Sequence, residues 1–129
     1  MAEVGNMRLP QKLLKKGVRD MIRISDARMS GTAYGTVILH TAPEAAVKGP
    51  LAAVQNGDEI EVDVDQGTMN LKVDDETIKN RLENYSPVVP EITGGYQKMY
   101  VEHVMQADKG ADLDFLVGKR GSEVKRHSH

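Results

Sequence analysis

Apolar and polar residues alternate through the middle of the chain. Ile60, Val62 and Val64 interleave with Glu59, Glu61 and Asp63, and after Gln66-Gly67 the alternation returns through Met69, Leu71 and Val73. A period of two sends successive side chains to opposite faces, so this stretch predicts a half-buried antiparallel hairpin. The period then lengthens. Ile78, Leu82 and Tyr85 fall four and three apart behind Asp74 or Asp75 as a cap, which predicts a helix ended by Pro87 and Pro90. Tyr96, Met99, Tyr100, His103, Val104 and Ala107 form one stripe of a second helix that Gly110 stops. A stripe of Met and Tyr at this spacing reads as core packing rather than a cofactor box.

The N-terminal half is less periodic. Pro10 suits the first position of a short helix, because its missing N–H has no helical partner there. Leu9, Leu13 and Leu14 give that helix an apolar side and Gly17 ends it. Lys12, Lys15, Lys16 and Arg19 read as a solvated face, with contact to an acidic patch on another domain as the alternative. Met21, Ile22 and Ile24 open a first strand, and Thr36 to His40 reads as a buried β-branched strand. Gly49-Pro50 breaks the chain before Leu51-Ala52-Ala53-Val54, and Asn56-Gly57 signals a turn. Strands first and helices last predict an α+β arrangement.

Between the first two strands lies Arg23-Ile24-Ser25-Asp26-Ala27-Arg28-Met29-Ser30-Gly31-Thr32-Ala33-Tyr34-Gly35. Two hydroxyls, Ser30 and Thr32, sit where the strand gives way to a loop with two glycines. Gly31 and Gly35 let the backbone turn and let another group approach closely. Such a loop can present a reactive hydroxyl; by local chemistry alone it is also an ordinary turn.

Composition narrows the function. A chain of 129 residues predicts one domain burying roughly two thirds of its unfolded surface. The net charge of −2 offers no basic field for nucleic acid. No apolar run approaches the roughly 20 residues that span a bilayer, and Met1-Ala2-Glu3 does not begin a signal peptide, so a cytoplasmic location is expected. The absence of cysteine rules out a disulfide, a thiolate zinc site or a cysteine-held iron–sulfur cluster within these residues.

The run RISDARMSGTAYGT resembles the C-terminal domain of the dihydroxy-acid and sugar-acid dehydratase family. Three further segments agree with it. They are Glu3-Val4-Gly5-Asn6 upstream; His40-Thr41-Ala42-Pro43-Glu44-Ala45-Ala46 with Gly49-Pro50-Leu51-Ala52 downstream; and the tail, Gln106-Ala107-Asp108 through Asp114-Phe115-Leu116 to Arg126-His127-Ser128-His129. The wording is nearest to the branch acting on sugar acids such as arabinonate. The resemblance implies a β-rich, barrel-like swivelling β/β/α domain with peripheral helices, spanning residues 1–129 as a single domain. It implies a hydro-lyase that converts a 2,3-dihydroxy acid to a 2-keto-3-deoxy acid. It also implies Mg2+ and an iron–sulfur cluster held by the cysteines of a large N-terminal domain, which these residues do not include. The expected partners are that cluster-bearing domain or subunit, the acid substrate and other copies of the full enzyme. The alternatives are a separate small subunit of such an enzyme and a non-catalytic swivelling-domain binding module. Isolated, the chain is expected to be inactive.

The resemblance also assigns residues. Ser30 becomes the general base, acting as an alkoxide; a serine hydroxyl is hardly ionised at neutral pH and needs a positive centre nearby, which this chain does not obviously supply. Thr32 binds substrate or orients Ser30. Glu3 corresponds to a metal-binding glutamate, although one carboxylate does not make an octahedral magnesium site. Arg28 either binds a substrate carboxylate or pairs with Asp26 to fix the loop, the latter being preferred. Tyr34 is open between packing and substrate contact. His40 reads as a satisfied structural histidine, and His127 and His129 are assigned no metal.

Overall fold

In the computed structural model, residues 3–31, 34–88 and 91–118 are described. The first two strands, β1 (Arg23–Ile24) and β2 (Val37–Ile38), pair in parallel, with Arg23 opposite Val37 and Ile24 opposite Ile38. A parallel pair needs a crossover of a dozen or so residues. Here that crossover carries the serine-glycine loop. Both strands are shorter than their apolar runs predict. Met21 and Ile22 are exposed and unpaired, and β2 cannot extend because His40 takes a left-handed conformation at φ 59°. His40 is exposed and lies two residues past β2 rather than in a strand, and its backbone N–H donates to the Ala27 carbonyl at 3.3 Å.

The predicted hairpin is present as β3 (Ile60–Asp63) and β4 (Thr68–Leu71), antiparallel, with Ile60 opposite Leu71 and Val62 opposite Met69. Ile60, Val62, Met69 and Leu71 are half-buried while Glu61, Asp63, Thr68 and Asn70 are exposed, as the alternation requires. Val64 departs from the pattern. It lies past the ladder, in the turn, and is 86% exposed. The inner face of the hairpin meets the 3-10 turn Pro50–Ala53 across a cavity of about 70 Å3, which Thr41 also lines. The Thr41 hydroxyl is buried there without a hydrogen-bond partner among the described residues.

Helix α1 (Gln11–Leu14) is a single turn. Pro10 is its cap rather than its first residue, in extended backbone (ψ 132°), and Gly17 follows at φ 81°. Helix α2 (Asp75–Asn84) has the predicted cap: the Thr77 N–H donates to Asp74 Oδ1 at 2.8 Å. It packs on the Pro50–Ala53 turn, where Ala53 is fully buried. Arg81 of α2 donates to the Ala53 carbonyl at 2.9 Å and to both oxygens of Asp58, at 2.6 and 3.3 Å. Helix α3 (Gly95–His103) is shorter than its stripe. Val104 leaves the helix to bridge Leu113, and Ala107–Lys109 forms a separate 3-10 turn before Gly110. Val104 is already in extended backbone (ψ 128°), the Met105 N–H donates to the Asp112 carbonyl at 2.8 Å, and beyond it Gln106 Oε1 accepts the Glu44 N–H at 2.8 Å. Tyr96 is 86% exposed, so the stripe is not a continuous core.

The fold is therefore mixed helix and strand, in two separate two-stranded ladders, with no closed barrel among the described residues. Its surface is open. Leu14, Ile22, Val88, Val101, Phe115 and Leu116 are among the large apolar residues left outside.

Candidate functional site

The crossover between β1 and β2 is built from its two ends. At the near end, the Ser25 hydroxyl accepts the Ala27 N–H at 3.0 Å. The Asp26 carboxylate accepts the Ala45 N–H at 2.7 Å. Asp26 therefore ties this loop to the segment after β2 and does not pair with Arg28. Arg28 turns instead to the N-terminal arm. Glu3 and Arg28 form a parallel β-bridge, the Val4 N–H donates to the Arg28 carbonyl at 2.9 Å, and the Arg28 guanidinium lies 3.0 Å from the Glu3 carboxylate. Two residues predicted to belong to the site, Glu3 and Ser30, are thereby brought to neighbouring places on the backbone although 27 positions separate them in sequence.

At the far end, Asp20 receives the loop. Its Oδ1 accepts the Thr36 N–H at 3.0 Å and its Oδ2 accepts the Thr36 hydroxyl at 3.1 Å. The backbone N–H of Thr36 is the main reason the Asp20 carboxyl is held below the ordinary aspartate value; the Thr36 hydroxyl, the Met21 N–H and Arg23 act in the same direction. Gly35 makes this approach possible. It sits at φ 82°, and a Cβ there would collide with the Asp20 carboxylate. Gly31, the other glycine of the loop, has open space where a Cβ would stand, so only Gly35 meets the steric expectation. Arg23 completes the frame. Its guanidinium donates to the carbonyls of Met7 and Tyr34, and its Nε to the Met21 carbonyl at 3.2 Å.

Ser30 stands between these ends, exposed on a bend, and its hydroxyl makes no hydrogen bond among the described residues. No histidine, lysine or arginine is bonded to it there as an activating group. Thr32 lies outside the described residues, as do His127 and His129. Tyr34 is 74% exposed and, with Leu9, Leu14 and Val18, lines an open groove beside α1.

The donor set does not by itself fit the expected inorganic groups. No cluster of three or more His, Asp or Glu side chains with metal-binding geometry occurs among the described residues. Glu3 offers one carboxylate, already shared with Arg28, where magnesium takes six oxygens. With no cysteine in the sequence, an iron–sulfur cluster finds no thiolate here.

Asp20 and Arg23 are absent from the set that sequence reasoning assigns. Arg23 carries a faint signal, a charge among Met21, Ile22 and Ile24 where an apolar side chain would continue the strand. Asp20 carries none, since its partner Thr36 is sixteen positions away.

The sequence is similar to known proteins along its whole length. The sequence model of the family described as dihydroxy-acid/6-phosphogluconate dehydratase C-terminal matches residues 1–111. An L-arabonate dehydratase of Azospirillum brasilense is 61% identical over all of this chain, which covers 23% of that protein. An L-arabinonate dehydratase of Rhizobium leguminosarum bv. trifolii is 60% identical, again over all of this chain and 22% of that protein. A 6-deoxy-6-sulfo-D-gluconate dehydratase of Pseudomonas putida is 49% identical over 90% of this chain and 20% of its own length. The chain thus spans under a quarter of the length of these relatives.

Proposed function

Since the chain belongs to the dihydroxy-acid/6-phosphogluconate dehydratase C-terminal family, we propose that it is the C-terminal catalytic part of a hydro-lyase acting on a sugar acid. The reaction converts a 2,3-dihydroxy acid to a 2-keto-3-deoxy acid. A base takes the proton from carbon 2, that electron pair forms the double bond to carbon 3, and the carbon 3 hydroxyl leaves and is protonated to water. The enol then becomes the ketone. In this reading Ser30 is the base, Thr32 holds or orients the substrate, and Glu3 gives one carboxylate to a magnesium ion.

The observation that carries the reading is the joining of Glu3 to the Ser30 loop through the Glu3–Arg28 bridge. The bridge sets Glu3 two residues before Ser30 in the pairing, and the ion pair turns its carboxylate toward Arg28 of the same loop. The remaining magnesium ligands and the iron–sulfur cluster are assigned to an N-terminal domain or subunit, which would also supply the positive centre that Ser30 needs. The exposed apolar residues support such a partner. We assign the two ladders to the β-rich swivelling domain, in a cytoplasmic homo-oligomer of the full enzyme.

The test joins the chain to a cluster-bearing dehydratase domain and follows release of 2-keto-3-deoxy acid from L-arabinonate, D-xylonate and a branched dihydroxy acid. Activity on a sugar acid by the assembly, with none from the isolated chain, is the expected result. Tight binding of an unrelated ligand with no turnover would favour the binding-module alternative.

A further inference from the structure

Arg23 touches both the N-terminal arm and the far end of the serine loop. Its side chain is only 9% exposed. Nη1 donates to the Met7 carbonyl, on the arm that begins with Glu3, and Nη2 donates to the Tyr34 carbonyl, where the loop returns toward β2. Nε donates to the Met21 carbonyl, and the Asp20 carboxylate that holds Thr36 lies 3.6 Å away. A guanidinium is planar and permanently charged, and its donors point in fixed directions. It therefore sets the separation of the groups it bridges, which a flexible single-point donor does not.

We propose that Arg23 is a positioning residue that holds the Glu3 arm and the Ser30 loop at a set separation, and so places the base relative to the substrate. The arm has two ties to the loop, one at each end. Glu3 and Val4 meet Arg28 before Ser30, and Met7 meets Tyr34 through Arg23 after it. With both ties made, Ser30 lies in a closed frame. With Arg23 removed, the arm is held at one end only. Arg23 does not itself touch the reacting atoms. The catalytic consequence rests on the dehydratase reading above; the frame itself does not.

The test uses Arg23→Gln and Arg23→Lys. In the 129-residue chain, amide exchange is read at Val4, which bonds the Arg28 carbonyl, and at two controls, Ser25 bonded to Ile38 and Lys72 bonded to Glu59. Arg23→Gln should lower protection at Val4 by about tenfold, the factor expected from losing hydrogen bonds to a charged group. Ser25 and Lys72 should change little. Arg23→Lys, which keeps the charge and the stem but not the two-point reach, should fall between. In the assembled enzyme, Arg23→Gln should lower kcat by about 10- to 100-fold, as expected for a base displaced by about an ångström, with a smaller change in KM. Added to Ser30→Ala, it should cause no further loss, because it acts through Ser30. Unchanged protection at Val4, or equal loss at all three amides in both variants, overturns the frame. A full additive loss on top of Ser30→Ala overturns its catalytic role. If the wild-type assembly dehydrates no sugar acid, the dehydratase reading fails, and the amide arm still judges the frame.

Discussion

Glu3 and Arg28 meet twice, through a backbone bridge and through an ion pair at 3.0 Å between half-exposed side chains. The two contacts differ in kind. The bridge fixes where the N-terminal arm runs. The ion pair is solvated and contributes no more than about 1 kcal/mol, in line with exposed pairs elsewhere. Glu3→Gln and Arg28→Gln should each shift thermal unfolding of the chain only slightly, and together no more than additively beyond that small coupling. Any large loss of activity on Glu3→Gln in the assembled enzyme then reports chemistry at Glu3 rather than folding.

The glycines separate by what surrounds them. A Cβ on Gly49 would strike the backbone carbonyl of Pro43, which cannot swing aside as a side chain does. Gly49→Ala should therefore unfold or strongly destabilise the segment that carries the Pro50–Ala53 turn. Gly31 stands in open space without a left-handed backbone. Gly31→Ala should leave stability unchanged or raise it by about 0.4–1 kcal/mol, through the lost freedom of the unfolded chain. Thermal unfolding of the two variants side by side checks this, and a Gly31→Ala chain that melts like Gly49→Ala contradicts it.

Acid should loosen the fold through three aspartates. Asp58 is held below 3.8 chiefly by the Arg81 guanidinium and then by the Gln55 N–H, Asp74 by the Thr77 N–H, and Asp20 by the Thr36 N–H. Each is a carboxylate with a lower pKa folded than unfolded. Its stabilisation is whole above the unfolded value of about 3.9 and is lost as pH falls through the lowered folded value. Unfolding midpoints should be flat from neutral pH to about 5 and fall below about 4. Asp58→Asn should be less stable at pH 7 and show a shallower acid decline. An equally steep decline would mean that other groups carry the acid response.

What the sequence made legible was local. The hairpin follows from a period of two over adjacent residues, and the Asp74 cap from a partner three positions away. Distant choices were not legible. Nothing in the order of residues says that β1 and β2 run parallel, or that Arg28 prefers Glu3 while Asp26 takes the Ala45 N–H. Nor does a helical stripe reveal that Val104 will leave the helix to bridge Leu113, or that Gln106 will bond Glu44, sixty-two positions away. For the site, the wording of the loop pointed to Ser30, whereas the contacts of Arg23 and Asp20 needed three dimensions. The expected core failed for a related reason. Ile22 of the first apolar run and Tyr96 of the helical stripe are exposed, because a run or a stripe marks an apolar face without saying what packs on it.

Ser30→Ala is the most demanding prediction. The residue is exposed on a bend and its hydroxyl holds nothing among the described residues, so its removal should not disturb the fold. The frame around it is made by Arg28, Arg23, Asp20 and Gly35, none of which depends on the hydroxyl. In the assembled enzyme the loss of a general base should lower kcat by about 10²–10⁴. KM should change less, because the groups that bind the acid's carboxylate lie elsewhere. Thr32→Ala should reverse the emphasis, with KM rising more than kcat falls. Both variants are to be measured after unfolding curves show native stability and after the cluster and magnesium content are shown equal to wild type. A Ser30→Ala enzyme with near-normal kcat would place the base on another residue and leave this loop only a substrate contact.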